Sequence, residues 1–203
     1  STIGSMAARS AMAKLSIVGI NYIDSPVAGA SGGSGIGPKA AKEAALTFIV
    51  AGPNQIVEKV KPVLQQMGSN IFHIGEEPGQ AQAIKLINNF LIGTAMVAVA
   101  EGISYGLNQN LDMKSILDVV NVSSGQNIAT SNIFPNAIQN NLYNMGASVE
   151  ILNKDIGAYY EEVKAQDLPN SIGALVSNIW KDMENELPGA DFSRIYQFIN
   201  TRK

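Results

Sequence analysis

The chain has 203 residues, enough to bury one large or two small hydrophobic cores, and 46% hydrophobic against 15% charged residues excludes a disordered protein. A net charge of -3 offers no basic surface to a nucleic-acid backbone or an anionic membrane, so we expect neither partner. The absence of cysteine excludes disulfides and thiolate catalysis and suits a reducing compartment, so we expect a cytoplasmic protein.

Helices and strands alternate in the first part of the chain. In chain order the residue patterns predict a helix over 2–18, a strand over 21–27, a strand over 46–50, a helix over 53–67 and a strand over 70–74. Such alternation is typical of an α/β unit, in which helices cover a sheet. We therefore predict an α/β domain over residues 1–77.

A glycine-rich loop, residues 29–37 (GASGGSGIG), lies between the first two predicted strands. Gly33 and Gly35 begin like the dinucleotide fingerprint G-x-G-x-x-G, but its third glycine falls at Pro38. A Walker A loop is excluded as well, because Pro38 separates Gly37 from Lys39. Three interpretations stay open: a nucleotide-phosphate loop, a flexible connection, or a nest of backbone N–H groups that binds a small carboxylate.

Strand patterns stop after residue 75, and the remainder reads as helices. A long helix over 80–106 is apolar on most faces, and shorter ones are predicted over 112–122, 132–142, 149–166, 172–185 and 193–200. The most apolar run, residues 90–100, is shorter than the roughly 20 residues that a membrane-spanning helix needs, so it predicts a buried helix. We predict an all-helical domain over 78–203 that begins with the long interdomain helix.

The start of this helix carries the first candidate for chemistry. Lys85, Asn88 and Asn89 lie within one turn, and residues four apart share a helical face. An ammonium group beside a carboxamide suits a proton donor with a partner that orients the substrate. The alternative is a lysine and two asparagines that are simply solvated on the first turns of the helix.

Two further sets of polar residues have structural alternatives. His73 is the only histidine, which excludes a catalytic triad or a metal site that needs two histidines, and we expect it to be structural. No carboxylate cluster with metal-ligand spacing accompanies it, so we expect no metal. Lys154 and Asp155 are adjacent on a predicted helix, where the pattern alone also fits a solvated lysine beside an acid.

Three segments in order resemble the signatures of the β-hydroxyacid dehydrogenases, the 3-hydroxyisobutyrate dehydrogenase and tartronate semialdehyde reductase group. They are DSPVAG (24–29), GQAQAIKLINN (79–89) and NKDIGAYYEEVKAQDLP (153–169), and ADFS (190–193) resembles the final motif of that family. The resemblance implies an α/β plus all-α fold: the C-terminal part of a Rossmann-like domain, a long interdomain helix and a 6-phosphogluconate-dehydrogenase-like helical domain.

The resemblance also implies roles for residues in both parts of the chain. Lys85 matches the general acid/base that protonates a carbonyl oxygen as hydride arrives from NAD or NADP, and Asn89 matches the residue that orients the substrate. Asn88 supports the same turn on the substrate side. Lys154 matches the lysine close to the nicotinamide, and Asp155 follows it on the cofactor side. A lysine acts in this way near neutral pH when burial or a neighbouring charge lowers its pKa.

The substrate carboxylate is expected to bind the loop after the first strand. Ala28, Gly29 and Ala30 align with the S-G-G segment of the family, so a serine hydroxyl is absent, and Ser31 and Gly32 follow at once. A second departure is Ala81, where the family has glycine. Third, the opening STIG resembles the S-T-x-x-P segment late in the Rossmann domain, so we expect a chain without the first strands and the dinucleotide fingerprint.

The resemblance therefore implies an NAD(P)-dependent oxidoreductase that interconverts a small 3-hydroxyacid and its semialdehyde, and a homo-oligomer that packs through its helical domain. Within the family, Asn88–Asn89 in place of His–Asn disfavours 6-phosphogluconate dehydrogenases, and Lys85 disfavours imine reductases. The alternative is a non-catalytic binding or dimerisation module derived from this family, because the dinucleotide fingerprint is missing.

Overall fold

The computed structural model describes residues 2–29 and 37–201, so Ala30, Ser31 and Gly32 of the expected substrate loop lie outside the described residues. The chain divides into two compact units, Ser1–Asn88 with Gly157–Asn170 and Asn89–Ile156 with Ser171–Lys203. Two helices, α4 (Gln80–Asn108) and α6 (Val149–Ala165), contribute residues to both units. The domain boundary between residues 77 and 78 stays a prediction, because compactness and domain ancestry are different criteria.

The first unit is built on a small sheet. Its elements before α4 are α1 (Ser5–Ile17), β1 (Val27–Ala28), α2 (Gly37–Lys42), β2 (Thr47–Ala51), α3 (Asn54–Gln65) and β3 (Asn70–Gly75). In the described residues the strand order is β1-β2-β3, with β1 antiparallel and β3 parallel to β2. Phe48 and Val50 of β2 pack against Val57 and Leu64 of α3, so this βαβ unit forms the core.

The first strand is shorter than the sequence predicts. A strand was expected over 21–27, whereas β1 begins at Val27 and the preceding segment meets β2 through one isolated bridge between Asp24 and Ala51. Pro26 has no N–H to donate, so only its carbonyl oxygen pairs, with the N–H of Ile49 at 3.1 Å. Helices α1 and α3 and strands β2 and β3 fall where the sequence predicts them, within a few residues at each end, whereas α2 was not predicted.

The second unit is all-helical. It contains the rest of α4, α5 (Met113–Val120), a π-helix (Ala129–Ile138), the start of α6, α7 (Ser171–Glu186), a 3₁₀ turn (Phe192–Arg194) and α8 (Ile195–Thr201). The buried Trp180 of α7 lies at its centre and donates a hydrogen bond from Nε1 to the carbonyl oxygen of Gly93, at 3.2 Å. A Cβ on Gly93 would stand 2.3 Å from Cδ1 of Ile156, so α4 and α6 approach this closely only because a glycine lies between them.

The helix expected over 132–142 differs in type and limits. It begins at Ala129 and is a π-helix, in which hydrogen bonds span five residues; the N–H of Gln139, for example, donates to the carbonyl oxygen of Phe134 at 2.8 Å. Pro135 lies inside it and has no N–H, so a regular α-helical ladder would be broken there.

Helix α4 is longer than its most apolar run suggests. It spans 29 residues, and one 18-residue window has a mean hydropathy of 1.6 with 33% of the window buried. By length and composition alone it could cross a membrane, a test that the core helix of a soluble protein also passes. The length of the run 90–100 therefore does not exclude a membrane-spanning helix, because the whole of α4 is longer. The absence of a membrane partner stays a prediction.

Candidate active site

The start of α4 is fixed by a side chain far away in the sequence. Asp24 is 2% exposed, and its carboxylate accepts hydrogen bonds from the N–H groups of Gly79 and Gln82, both at 3.1 Å. The first N–H groups of a helix have no partner within the helix, and a carboxylate there also meets the positive end of the helix dipole. Asp24 thus caps α4 from the segment that leads into β1.

A second contact brings α1 to the same place. The side-chain Oε1 of Gln82 accepts the N–H of Ile3 at 3.0 Å, and Gly79 has φ +92°, where a Cβ would stand 2.8 Å from the carbonyl oxygen of Ser5. The backbone conformation and the close approach both require glycine at this position. The first turn of α4 is therefore built around Asp24, Gly79 and Gln82.

The start of α1 is held by α6. Oε1 of Glu162 accepts the N–H of Ser5 at 2.6 Å and the N–H of Met6 at 3.3 Å. Gly4, which precedes them, has φ +85°, and a Cβ there would stand 2.6 Å from the same Oε1 atom. An acid from another helix thus supplies the cap that the local sequence of α1 lacks.

Lys85, Asn88 and Asn89 lie on the second and third turns of α4, as predicted. Lys85 is half-buried, Asn88 is exposed, and Asn89 is buried, with 8% of its surface exposed. Lys85 and Asn89 are four residues apart, so their Cα–Cβ bonds point along the same helical face. A lysine that is partly desolvated is a better candidate for proton transfer than a fully solvated one.

The all-helical unit brings Asn89 together with two other expected site residues. Nδ2 of Asn89 donates to Oδ2 of Asp155 at 2.5 Å, across 66 positions of sequence. The ammonium of Lys154 forms an ion pair with Oδ1 of the same carboxylate. Asp155 is 1% exposed, whereas the side chain of Lys154 is 56% exposed. Asp155 is therefore not the solvated acid that its sequence neighbourhood alone allows.

The other described residues that the sequence singled out, Ala28, Gly29 and His73, are half-buried or exposed. Ala28 ends β1 and Gly29 follows it, and both are half-buried. His73 is exposed on β3, and its Nε2 lies 2.9 Å from the carbonyl oxygen of Gly52, a contact that suits the structural role expected for it. Over residues 2–29 and 37–201 no three His, Cys, Asp or Glu residues are grouped closely enough to hold a metal.

A cleft of about 250 Å³ in the first unit contains none of the expected site residues. Met12, Ile20 and Pro53 supply apolar surface, and Tyr22 and Glu76 supply polar groups. Burial, and after it the charge of Asp24, raises the pKa of the Tyr22 hydroxyl above its usual value.

Asp24 is the important residue that the sequence pattern did not single out. In the sequence it stands out only as the first residue of DSPVAG, because a buried acid before a strand carries no periodic signal. The available signal was indirect: α4 begins at Gly-Gln without a Ser, Thr, Asp or Asn at its own N-cap, which leaves its first N–H groups to water or to a distant side chain.

Two family models match the chain. The model described as NAD-binding of NADP-dependent 3-hydroxyisobutyrate dehydrogenase matches residues 79–199, and the model described as NAD binding domain of 6-phosphogluconate dehydrogenase matches residues 1–75. The two matches meet just before α4, where the sequence predicts the change from α/β to all-α structure.

Curated relatives and solved structures point the same way. A 3-hydroxyisobutyrate dehydrogenase of Pseudomonas aeruginosa is 34% identical, with 96% of this chain and 66% of the relative covered. A mitochondrial 3-hydroxyisobutyrate dehydrogenase of Drosophila melanogaster is 31% identical, with 100% and 62% covered. The structure of a Mycobacterium tuberculosis 3-hydroxyisobutyrate dehydrogenase with L-serine has a TM-score of 0.88 at 27% identity, with 98% and 67% covered.

These matches confirm the family resemblance and the fold class. The chain spans about two thirds of the length of these relatives, so it corresponds to part of the dehydrogenases that they name. With a family model matched over more than half of its residues, the chain belongs to the β-hydroxyacid dehydrogenase family, in the group of the 3-hydroxyisobutyrate dehydrogenases.

Proposed function

We propose that this chain carries the acid/base and substrate-orienting residues of an NAD(P)-dependent oxidoreductase that interconverts a small 3-hydroxyacid and its semialdehyde. The observation that carries the proposal is the hydrogen bond of Asn89 to the buried Asp155, one helical turn after the half-buried Lys85. If Asn89 were simply solvated, its amide would be bonded to water and not to a buried carboxylate.

Lys85 is the proposed general acid/base. In the direction of reduction its ammonium donates a proton to the carbonyl oxygen, and in the direction of oxidation the neutral amine takes the hydroxyl proton. General acid/base catalysis of this kind contributes roughly 10²- to 10⁴-fold to a rate. Asn89 orients the reacting oxygen, and Asn88, which is exposed on the same turn, contributes to the substrate side.

The carboxylate of the substrate is proposed to bind the loop that starts at Ala28 and Gly29 and continues through Ala30, Ser31 and Gly32. Consecutive backbone N–H groups form a concave donor site that suits a carboxylate even where a serine hydroxyl is absent. Both 3-hydroxyisobutyrate and L-serine, the molecules named with the related enzymes, carry a hydroxyl on the carbon β to the carboxylate. We propose a substrate of this class.

A nicotinamide dinucleotide, NAD or NADP, accepts or supplies the hydride when it is bound. Residues of this chain fit the nicotinamide end of such a molecule: the ammonium of Lys154 is exposed and is held in place by the buried Asp155. A positioned donor of this kind can hydrogen-bond to a carboxamide oxygen. The fingerprint G-x-G-x-x-G does not occur in the sequence, so we assign no residue to the pyrophosphate.

The test is turnover after substitution of Lys85. Lys85→Ala is expected to lower kcat with 3-hydroxyisobutyrate or L-serine by at least about 100-fold, because the proton donor is removed. Lys181→Ala, an exposed lysine on α7, is the matched control and should leave kcat unchanged. Full turnover by the Lys85→Ala protein would disprove the proposed role.

A second candidate is a non-catalytic binding or dimerisation module. Large apolar side chains exposed on α4 favour it, among them Leu91 at 59% and Tyr105 at 69%. The same surface supports a homo-oligomer that packs through the helical domain. Calorimetric titration with NADH and with NADPH separates the two candidates, since tight binding of either would exclude the module.

Where the protein resides is part of the proposal as well. The sequence predicts a cytoplasmic protein, and several relatives are named as mitochondrial, so the compartment stays a prediction. Fractionation of the source cells with an antibody against this chain tests it directly.

A further inference from the structure

We infer that Asp155 is a positioning residue, which fixes the side-chain amide of Asn89 so that a hydrogen of Nδ2, and not the carbonyl oxygen Oδ1, is directed toward the reacting oxygen of the substrate. This inference rests on the proposed function and adds to it a direction for the hydrogen bond made by Asn89.

The location of Asp155 is the first argument. It lies on α6 between Leu152 and Ile156, which are both in the hydrophobic core, and it is itself 1% exposed. A carboxylate in this position costs free energy unless both oxygens have donors, and an apolar residue of similar size is often equally stable there. Core packing by itself therefore gives no reason for an acid at this position.

The two oxygens of this carboxylate have different partners. Oδ2 accepts from Nδ2 of Asn89, and Oδ1 accepts from the ammonium of Lys154, which is the neighbouring residue in the sequence. One buried acid therefore joins the amide on the proposed substrate side to the ammonium on the proposed cofactor side. Both partners belong to the all-helical unit, so the arrangement is complete within that unit.

The chemistry of the two groups determines the orientation of the amide. An ionised carboxylate only accepts hydrogen bonds, whereas an asparagine has donors on Nδ2 and an acceptor on Oδ1. Rotation of the amide by half a turn would set Oδ1 of Asn89 against Oδ2 of Asp155, two acceptors at 2.5 Å, which is strongly unfavourable. Asp155 therefore selects one of the two orientations and turns Oδ1 away from itself.

The selected orientation suits both directions of the proposed reaction. One hydrogen of Nδ2 is donated to Asp155, and the other can be donated to the substrate oxygen, which accepts it as a carbonyl oxygen and also as a hydroxyl oxygen while Lys85 takes the hydroxyl hydrogen. In the other orientation Oδ1 would face an oxygen with no hydrogen to donate to it, so Asp155 favours the productive orientation. Alignment of the reacting group in advance is the effect that such a residue contributes to a rate.

A direct test follows the Asn89 amide by NMR in the 203-residue protein, with the signal assigned by its loss in Asn89→Ala. Of the two hydrogens on Nδ2, the one that is bonded to the Asp155 carboxylate is expected to resonate downfield of the other and to exchange slowly with water. Asp155→Asn, which keeps the shape of the side chain, should remove the downfield shift, and Asp118→Asn, an exposed acid on α5, should not. An averaged Asn89 amide in the unsubstituted protein would overturn the inference.

A kinetic cycle tests whether Asp155 acts through Asn89. Asn89→Ala and Asp155→Asn are each expected to lower kcat about tenfold or more, as loss of a charge-assisted hydrogen bond would. The double variant should be no slower than Asn89→Ala alone, because residues that act as one unit are not additive. A double variant slowed by the product of the two single effects would overturn the inference.

The two proposals fail differently. If Lys85→Ala keeps full turnover, the proposed function is wrong whatever the NMR shows. If Lys85→Ala abolishes turnover while the Asn89 amide is unaffected by Asp155→Asn, only the role of Asp155 is wrong. Thermal unfolding of each variant is measured alongside, so that a lower kcat caused by partial unfolding is recognised.

Discussion

Asp24 and Gly79 are 55 positions apart in the sequence, and Oδ1 of the aspartate accepts the backbone N–H of the glycine at 3.1 Å. This bond, with the parallel one to Gln82, ties the segment before β1 to the first turn of α4. The helix that carries Lys85 is therefore set in place by a residue of the DSPVAG segment. The two motifs of the family are in physical contact as well as being ordered in the sequence.

Asp24→Asn is expected to destabilise the protein by about 1–3 kcal/mol, because a buried carboxylate that accepts two backbone N–H groups is replaced by a neutral amide. The free energy of unfolding in urea is the measurement. Asp118→Asn on the surface is the control and should change it by less than about 0.5 kcal/mol. Equal stability of the two variants would mean that water or another side chain caps α4 as well as Asp24 does.

Gly79→Ala is expected to destabilise more than Gly189→Ala. Both glycines have positive φ, +92° and +75°, so both variants carry the backbone strain of about 1 kcal/mol or more. Only at Gly79 does the new Cβ also meet backbone, the carbonyl oxygen of Ser5 at 2.8 Å, whereas nothing lies within 4 Å at Gly189. The difference between their unfolding free energies measures the close approach of α1 and α4.

Gly93→Ala is expected to lower the thermal midpoint, since one methyl group would have to fit 2.3 Å from Cδ1 of Ile156. Overpacking of this kind typically lowers the free energy of unfolding by about 1–3 kcal/mol, which corresponds to a thermal midpoint several degrees lower. Gly102→Ala, on the same helix with nothing within 4 Å, should instead be neutral or slightly stabilising. Calorimetry of the two variants in parallel decides the matter.

Alkaline pH is expected to weaken the all-helical unit through two tyrosines. Burial raises the pKa of Tyr143 and of Tyr196 above the usual 10.0. A raised pKa in the folded state means that the contribution to stability is complete below pH 10 and is lost as the pH rises through the folded-state values. Unfolding free energies measured above pH 10 should therefore fall less steeply for Tyr196→Phe than for the unsubstituted protein.

The sequence predicted the elements whose signals are local. Helix α4 follows from a glycine start and a long apolar pattern, and β2 and β3 follow from runs of β-branched and aromatic residues. The π-helix was not predicted, because the spacing of apolar residues around Pro135 does not distinguish hydrogen bonds over four residues from those over five. The short β1 was not predicted either: Pro26 has no N–H to donate, and the segment before Val27 meets β2 through the isolated bridge between Asp24 and Ala51.

For the candidate site, too, the sequence predicted individual residues but not the contacts between them. Resemblance to the family predicts roles for Asn89, Lys154 and Asp155 one by one, but no pattern in the sequence indicated that Asp155 is buried and bonded to Asn89. Contacts across 66 positions depend on how α4 and α6 pack, and that packing depends on Gly93 and Trp180. Tertiary contacts of this kind have no periodic signature.

The contacts of Asp24 bear on how the substrate of this chain could be changed by mutation. The chain on either side of the glycine-rich loop is anchored, at one end by Asp24 and β1 and at the other by β2, in which Val50 and Ala51 are fully buried. Residues can be inserted or exchanged between these anchors without moving the helix that bears Lys85. Under the function proposed above, a change of hydroxyacid is therefore expected from mutations in this segment, with the position of Lys85 on α4 kept.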